Sequence, residues 1–360
     1  MTDIIIVLGT RPEIIKLSPV IRECERRDVD YTLLHTGQHY SDSLDTVFFE
    51  QLELPVPDYN LEVGSNSQGK QTGEMISGIE EKLLVEKPNV LVVQGDTNSV
   101  LAGAIAASKL DTEVAHVEAG LRSFDREMPE ETNRVLTDHV GDYLFAPTEQ
   151  SADHLLSEGI PEDRVYVVGN TVVDAVQQNS NLARQKSDIL DKVDLKPGEY
   201  FLLTAHRASN VDNTSRFSSL LSGVSEAAEL FEQQVIYPIH PRARNTLEEA
   251  GIELPENVRI IEPQDYLDFL TLQSETELIF TDSGGVQEEA CILGIPCVTL
   301  RDSTERPETV EVGGNVLSDI NSESITEKAD KMYGKKGDWE NPFGNGKASI
   351  KIIENISSEL

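Results

Sequence analysis

The chain has 360 residues and a mass of 39.8 kDa, which is more than one hydrophobic core usually holds, so we expect two domains. No apolar run approaches the roughly 18 residues of a membrane span, and the opening residues lack the pattern of a secretory signal, so we expect a soluble, cytoplasmic protein. The 64 acidic against 30 basic residues give a net charge of -34, which excludes sequence-independent binding to nucleic acid or to an anionic membrane.

The acidic residues are spread through segments that can fold and are not collected in a tail. We therefore expect them on folded surfaces, where their mutual repulsion costs stability at low salt and is screened at high salt. This distribution favours a halophilic cytoplasm as the environment of the protein.

Short apolar runs alternate with helical patterns along the chain, which is typical of parallel sheets with crossover helices. The first half predicts helices at 14–27, 42–51, 68–86 and 99–109 and strands at 4–8, 31–35, 90–94, 113–117 and 143–146. After a strand at 165–168 the pattern restarts, with strands at 200–204, 234–238, 258–261, 278–281 and 297–300. The sequence therefore predicts two α/β units, joined within the segment 170–196.

Polar residues follow many of the predicted strands, at the edge where open α/β sheets bind ligands. These segments are 9–13, 95–97 and 118–122 in the first half, and 206–207, 240–242 and 282–285 in the second. Two half-sites of this kind, facing each other across a cleft, would bring these residues together.

Residues 281–290 (TDSGGVQEEA) are typical of a strand end, a glycine turn and a helix start. Backbone N–H groups at such a helix N-terminus, with the Ser283 hydroxyl, can bind a phosphate, and Glu288 or Glu289 can accept hydrogen bonds from a ribose. The alternative is an ordinary serine-capped helix with acidic residues near its start. Neither this segment nor residues 9–13 has the spacing of a Walker loop or of a dinucleotide fingerprint.

Four basic residues follow predicted strands in a chain that is poor in positive charge. Arg306, Arg11, His206 and His240 could together bind a diphosphate, although each alone could be a solvated surface group. Their number favours an anionic ligand.

Carboxylates occupy corresponding positions in the first half, at Asp96, Glu118, Glu130 and Glu131. Opposite a phosphate site they would supply paired general acids and bases. The alternatives are helix capping by Asp96 and, for Glu130 and Glu131, first-turn acids that complement a helix dipole. No group of residues has metal-ligand spacing, no Cys-x-x-Cys occurs and Ser283 has no adjacent base, so we expect no metal site and no acyl transfer.

Taken together, these segments resemble the non-hydrolysing UDP-N-acetylglucosamine 2-epimerases. The matching segments are 9–16, 36–39, 94–97, 116–122, 129–134, 169–171, 206–207, 282–289, 305–308 and 341–346. The resemblance implies a glycosyltransferase-B type α/β fold, with two Rossmann-like domains facing across a cleft and a C-terminal helix returning to the first domain. We expect an N-terminal domain of residues 1–169 plus about 344–360, which carries the catalytic acids, and a UDP-binding domain of residues 170–343.

The resemblance also implies the reaction, in which UDP-GlcNAc and UDP-ManNAc are interconverted without a cofactor. Enzymes of this family eliminate UDP with loss of the C2 proton to give 2-acetamidoglucal, and UDP then adds back with protonation at C2 from the opposite face. The expected partners are the two nucleotide sugars and a second copy of the chain in a homodimer.

Carried over residue by residue, the resemblance makes Asp96, Glu118, Glu130 and His206 catalytic. Because the loop before Pro129 is shorter than in many relatives, Glu130 and Glu131 could exchange roles. Gln38 and His39 fall where relatives form a second, activating site, but the residues that follow them depart from that pattern. The resemblance implies binding of the sugar, diphosphate or ribose by Arg11, Lys16, Glu131, Arg134, His240, Ser283, Gly284, Gly285, Glu289 and Arg306.

Three other activities are compatible with this fold: a UDP-2,3-diacetamido-glucuronate 2-epimerase, a hydrolysing epimerase and a retaining glycosyltransferase. The first would need an additional cation for the C6 carboxylate of its substrate. A catalytically silent protein that binds UDP-sugars would be expected to lose carboxylates that this chain keeps.

Overall fold

The computed structural model describes residues 3–38 and 42–357 and divides the chain into two compact units. Unit 1 comprises Met1–Gln178 and Phe343–Leu360, and unit 2 comprises Asn179–Pro342. Over its described residues, each unit is built around a parallel sheet accompanied by helices. The predicted two-domain α/β class is confirmed.

Within the described residues, the sheet of unit 1 has seven parallel strands in the order β3–β2–β1–β4–β5–β6–β7. The strands are β1 (Ile4–Leu8), β2 (Tyr31–His35), β3 (Tyr59–Asn60), β4 (Val90–Gln94), β5 (Glu113–Val117), β6 (Tyr143–Ala146) and β7 (Val165–Val167). The helices that connect them are α1 (Arg11–Arg27), α2 (Asp42–Gln51), α3 (Gln68–Glu86), α4 (Asn98–Ala107), α5 (Pro129–Val140) and α6 (Glu149–Ser157), with a 3₁₀ turn at Glu162–Arg164. The central strands β1 and β4 are buried throughout, as expected for strands of a parallel sheet covered on both faces.

The part of unit 2 that the structure describes contains six parallel strands in the order β10–β9–β8–β11–β12–β13. The strands are β8 (Tyr200–Thr204), β9 (Gln234–Pro238), β10 (Val258–Ile261), β11 (Leu278–Thr281), β12 (Cys297–Thr299) and β13 (Asn315–Leu317). The helix α7 (Thr171–Lys186) begins in unit 1 and ends in unit 2. The other helices of unit 2 are α8 (Ile189–Lys192), α9 (Ala208–Val211), α10 (Thr214–Leu230), α11 (Pro241–Ala250), α12 (Tyr266–Ser274), α13 (Gly284–Leu293), α14 (Pro307–Glu311) and α15 (Ser322–Met332).

The last helix, α16 (Ala348–Ser357), returns to unit 1, as the resemblance implied. Its start is held by the buried carboxylate of Asp174, which accepts hydrogen bonds from the backbone N–H of Ser349 at 3.0 Å and from the Ser349 hydroxyl at 2.6 Å. Farther along the helix, Glu354 pairs with Arg27 of α1 at 2.7 Å. The C-terminal segment is therefore an integral part of the first unit.

The order of strands places a switch point in each sheet. In unit 1 the connections that follow β1 and β4 run in opposite directions along the sheet. In unit 2 the connections that follow β8 and β11 also run in opposite directions. Ligands of open α/β sheets bind beyond the carboxyl ends of the strands at such points. The fold therefore provides one candidate ligand site in each unit.

Most predicted strands are found with their predicted bounds, but two short ones were missed. β3 has two residues and β13 has three, and neither forms an apolar run long enough to be recognised. The helix predicted at 14–27 begins three residues earlier, at Arg11, because Thr10 and Glu13 form a capping box and Pro12 fits the first turn.

None of the helices formed by the described residues combines the length and the apolar character required to cross a bilayer.

Candidate active site

A pocket of about 520 Å³ opens at the switch point of the unit 1 sheet. It is formed by the segments that follow β1, β2 and β4 together with the start of α5. Its position matches the place where sheets of this type bind ligands. The residues that line it are Gly9, Thr10, Arg11, Pro12, Gln38, Gln68, Asp96, Thr97, Asn98, Pro129, Glu130 and Asn133.

Glu13 joins the loop after β1 to the loop after β4. Its Oε2 accepts hydrogen bonds from the backbone N–H groups of Gly9 at 2.6 Å and Thr10 at 2.8 Å, and its Oε1 contacts the Thr97 hydroxyl. Complete burial raises the pKa of Glu13 to about 7, against the lowering effect of these hydrogen bonds. This carboxyl group therefore fixes the segments that carry Arg11 and Asp96.

Asp96 is held by an arginine from α5. Its Oδ2 accepts hydrogen bonds from Arg134 Nε at 2.9 Å and from Arg134 Nη2 at 2.5 Å. The remaining terminal nitrogen of Arg134 donates to Glu131 Oε2 at 2.7 Å. The structure therefore brings three of the predicted site residues together, with Arg134 bound to two carboxylates.

Glu130 and Glu131 have different surroundings although both lie in the first turn of α5. Glu130 is exposed and lines the pocket. Glu131 is 6% exposed and accepts hydrogen bonds from the backbone N–H and hydroxyl of Ser123, both at 2.9 Å, and from the Phe124 N–H at 3.0 Å. Burial tends to raise the pKa of Glu131, but these bonds and the one from Arg134 lower it overall.

Glu118 is buried at the end of β5 and is paired with Lys16. Lys16 Nζ donates to the two carboxylate oxygens at 2.7 and 2.8 Å, and the Gln94 side-chain amide also donates to this carboxylate. Gln94 ends β4, two residues before Asp96, so the two acids follow neighbouring strands. Among the described residues, those that line the pocket do not include Lys16 or Glu118.

In unit 2, His206 follows β8 and its orientation is set by Asp282. The fully buried Asp282 carboxylate accepts hydrogen bonds from the backbone N–H groups of His206 at 3.1 Å and Arg207 at 3.0 Å. The same carboxylate lies 3.3 Å from His206 Nδ1, which leaves Nε2 for another partner. His206 is the predicted catalytic histidine, and 43% of its side chain is exposed.

His240 lies beside His206, with 5.7 Å between the two ring centroids. Its Nδ1 caps α11 by accepting a hydrogen bond from the Arg242 N–H at 3.2 Å, so a proton is available only at Nε2. Burial, together with the charges of His206 and Arg242, lowers the pKa of His240. His240, which was expected to help bind a diphosphate, can therefore donate a hydrogen bond from Nε2 as a neutral imidazole.

The glycine turn after β11 has the predicted form. Ser283 is the N-cap of α13, and Gly284 and Gly285 form its first two positions, so their backbone N–H groups lie at the positive end of the helix. A Cβ at Gly285 would meet no atom within 4 Å, so open space surrounds this backbone position.

Arg306, in the loop after β12, is anchored to α13. Its Nε lies 2.6 Å from Oε1 of Glu288, which is 3% exposed. The neighbouring Glu289 accepts a hydrogen bond from the Gln273 amide at 2.7 Å. Glu288 therefore orients the arginine, and Glu289 is the less buried of the two acids that the sequence offered for a ribose.

Sequence reasoning missed the roles of Glu13 and Asp282, and it offered Glu288 only as a ligand for a ribose. Their burial and their partners show that each holds a neighbouring site residue. A carboxylate directly beside a predicted cation or glycine turn is the signal that could have identified them.

Gln38 is one of the two residues of the predicted activating site. Gln38 lines the unit 1 pocket, and its Oε1 accepts a hydrogen bond from the Ser99 hydroxyl at 2.7 Å. His39 lies outside the described residues. Gln38 therefore has a structural role in fixing α4 to the loop after β2.

Comparisons with known proteins identify the family of the chain. A family model described as UDP-N-acetylglucosamine 2-epimerase matches residues 22–357. The UDP-N-acetylglucosamine 2-epimerase of Methanocaldococcus jannaschii is 55% identical over 355 residues, which cover 97% of both chains. The UDP-2,3-diacetamido-2,3-dideoxy-D-glucuronate 2-epimerase of Pseudomonas aeruginosa is 41% identical, over 98% of this chain and 99% of that protein.

Among solved structures, a crystal structure of the M. jannaschii UDP-GlcNAc 2-epimerase in complex with UDP-GlcNAc and UDP superimposes with a TM-score of 0.86. The two sequences are 53% identical, and the alignment covers 99% of this chain and 100% of that one. The fold is therefore that of this group of proteins.

Proposed function

The chain belongs to the UDP-N-acetylglucosamine 2-epimerase family, and we infer that it interconverts UDP-GlcNAc and UDP-ManNAc. The observation that supports this function most strongly is the set of acids at the switch point of unit 1. Asp96 and Glu130 line one pocket, and Glu118 follows the strand next to the one that leads to Asp96. An epimerisation needs acid–base groups on both faces of a sugar carbon, and this set supplies more than one carboxylate.

In the first half of the proposed reaction, a carboxylate removes the proton at C2 while the bond between C1 and the diphosphate oxygen breaks. The electron pair of the C2–H bond forms the C1–C2 double bond of 2-acetamidoglucal, and UDP leaves with the electron pair of the broken bond. The hydrogen at C2 is not acidic enough to be removed while UDP stays attached, which is why both bonds break in this half. Positive charge develops at C1 as UDP leaves, and nearby carboxylates stabilise it.

In the second half, UDP adds back to C1 and a carboxylic acid protonates C2 from the opposite face. We propose that Asp96 and Glu130, which both line the pocket, exchange the C2 proton on the two faces, and that Glu118 supplies negative charge near C1. Arg134 and Lys16 hold Asp96 and Glu118 respectively, so their proposed contribution is to position these acids as well as to contact the sugar.

The proposed UDP site lies in unit 2. The N-terminus of α13, with Ser283, Gly284 and Gly285, offers backbone donors to a phosphate, and Arg306 supplies a guanidinium held in place by Glu288. We assign Glu289 to the ribose hydroxyls. His206 and His240 offer further donors to the leaving diphosphate. We assign Arg11, which lines the pocket of unit 1, to the substrate.

We also propose that the enzyme works in a cytoplasm of high salt and as a homodimer. The three cysteines, Cys24, Cys291 and Cys297, are free and buried, which fits a reducing compartment. Light scattering after size-exclusion chromatography tests the dimer, for which a mass twice that of one chain is expected.

The function is tested by incubating the purified protein with UDP-GlcNAc, without a nicotinamide or an added metal, and recording proton NMR spectra of the products. We expect UDP-ManNAc to form. Free ManNAc and UDP as the products would indicate a hydrolysing enzyme, and transfer to an added acceptor would indicate a glycosyltransferase. Conversion of UDP-2,3-diacetamido-glucuronate alone would indicate the activity of the Pseudomonas relative.

A further inference from the structure

We propose that a buried charged cluster, consisting of His116, Arg122 and Asp138, positions Asp96 and Glu118, and that His116 takes part in it as a doubly protonated imidazolium. This inference rests on the proposed function, since it concerns the two acids assigned above to the reaction. None of the three cluster residues is assigned a role in the reaction.

His116 lies on β5 and is fully buried, with an acceptor at each ring nitrogen. Its Nε2 lies 2.8 Å from the carbonyl oxygen of Gly95, and its Nδ1 lies 2.7 Å from Asp138 Oδ1. A carbonyl oxygen can only accept, so Nε2 must carry a proton. The protonation of Nδ1 depends on whether Asp138 is ionised.

The other contacts of Asp138 show that it is ionised. Its Oδ2 accepts a hydrogen bond from the Gly120 N–H at 3.2 Å and lies 2.7 Å from Arg122 Nη1. The Arg122 guanidinium is permanently charged, so it keeps this buried carboxyl group in its ionised form. An ionised carboxylate can only accept, so the 2.7 Å contact at Oδ1 requires a proton on His116 Nδ1, and the ring carries two protons and a positive charge.

The charges around His116 balance one another. Asp138 faces it from α5, and Arg122 faces Asp138 from the segment after β5 and pairs with Glu158 after α6 at 2.7 Å. The two acids of the site are themselves paired, Glu118 with Lys16 and Asp96 with Arg134. An imidazolium in this place therefore has a compensating carboxylate, which a buried charge requires.

The cluster contacts the chain directly beside both acids. His116 fixes the carbonyl of Gly95, whose φ is 84° and which immediately precedes Asp96. Asp138 fixes the N–H of Gly120, two residues after Glu118, and Glu118 itself has a left-handed φ of 73° that a residue with a Cβ rarely adopts. Asp138 also belongs to α5, which carries Glu130. One buried group therefore ties together the three segments that supply the acids.

The kinetic test uses His116→Gln and Asp138→Asn, with His139→Gln as the matched control. His139 is the residue after Asp138 on α5, is exposed, and bonds the Val135 carbonyl of its own helix at 2.9 Å. For both cluster variants we expect kcat to fall by about 10²-fold, because small displacements of reacting groups cost that much, while KM and the Kd for UDP stay within a few fold. The double variant should be no slower than the slower single variant, because both changes break the same unit.

The charge of His116 is tested on the unmodified enzyme, so that the proposal does not depend on whether a variant folds. Ring ¹⁵N–¹H correlation spectra at pH 7.5 should show protons bonded to both nitrogens of His116, assigned by elimination with variants of the other histidines. A single protonated nitrogen, or a folded His116→Gln enzyme with the kcat of the His139→Gln control, would overturn the proposal. If the unmodified enzyme did not convert UDP-GlcNAc at all, the proposed function would fail instead, and the NMR result would still decide the charge.

Discussion

Glu130 and Glu131 are consecutive residues in the first turn of α5, but only Glu130 lines the pocket. Glu131 instead accepts hydrogen bonds from Ser123 and Phe124 of the preceding loop and from Arg134 of its own helix. Successive helical residues point about 100° apart, so adjacent acids cannot share one environment. We therefore propose that Glu130, and not Glu131, is the acid that meets the sugar.

We predict that Glu130→Gln lowers kcat by about 10²-fold or more without changing thermal stability, because it removes an acid–base group that is exposed in the pocket. Glu149→Gln is the matched control, since Glu149 is an exposed acid in the first turn of α6. Steady-state kinetics and thermal melts check both variants. A Glu130→Gln enzyme as active as the control would exclude Glu130 from the reaction.

Glu131→Gln should act mainly on stability. The substitution removes the ionised carboxylate that accepts hydrogen bonds from several buried donors. We expect it to lower the free energy of unfolding by about 1–3 kcal/mol at pH 7. The pKa of Glu131 is lowered in the folded state, so its stabilising contribution is present above the carboxyl's ordinary pKa and is lost as the pH falls through the lowered value. Urea unfolding at several pH values should therefore show the difference between the two proteins shrinking in acid, whereas a difference that did not change with pH would contradict this account.

Arg306→Ala and Ser283→Ala should weaken UDP binding by roughly 10- to 100-fold, because each removes a proposed donor to the diphosphate. At saturating substrate, kcat should change less than the affinity does. Arg244→Ala is a suitable control because Arg244 pairs with the exposed Glu262 in the same unit. Isothermal titration with UDP measures the affinity of each variant. Equal affinities for the Arg306→Ala and Arg244→Ala enzymes would show that Arg306 does not bind the diphosphate.

Glu13 should make stability fall as the pH rises. In the unfolded chain this carboxyl loses its proton near pH 4.5, whereas in the folded protein burial raises its pKa to about 7. Between these values the native state binds the additional proton, so the contribution of Glu13 declines by up to roughly 1.4 kcal/mol for each pH unit. The stability of the unmodified enzyme relative to Glu13→Gln should decline across this window, and a constant difference would show that Glu13 is ionised throughout.

The fold could be predicted from the sequence because its strands are continuous buried runs, such as Ile4–Leu8 and Val90–Gln94, bounded by polar segments. The exceptions are short edge strands. Tyr59–Asn60 and Asn315–Leu317 pair through backbone hydrogen bonds that no apolar pattern reveals.

The candidate site could be predicted in its residue types but not in its pairings. The motifs indicate Asp96, Glu118 and Arg134 separately, whereas the Asp96–Arg134 and Lys16–Glu118 pairs join residues 38 and 102 positions apart. Spacing in the sequence carries no information about contacts of that range. Sequence spacing also does not predict the burial of Glu13 and Asp138, because burial depends on how the whole fold packs.

Salt should stabilise this enzyme. With a net charge of -34 on the chain, repulsion between surface carboxylates opposes folding in dilute buffer and is screened as the Debye length falls from about 10 Å at 0.1 M to about 3 Å at 1 M. We expect the melting temperature and the activity to rise together between about 0.1 and 2 M KCl, at ionic strengths where this screening is strong. An enzyme that is fully folded and most active in dilute buffer would contradict the proposed high-salt environment, but it would not contradict the proposed epimerase function.

The elimination mechanism is tested most directly by the reaction in deuterated water. When UDP-GlcNAc is converted with no added cofactor, proton NMR should show the C2 hydrogen of the UDP-ManNAc product replaced by deuterium, because the proton removed in the elimination exchanges with the solvent before C2 is protonated again. The same exchange should be strongly slowed in Glu130→Gln. UDP-ManNAc that keeps its original hydrogen at C2, or a requirement for a nicotinamide cofactor, would contradict the proposed mechanism.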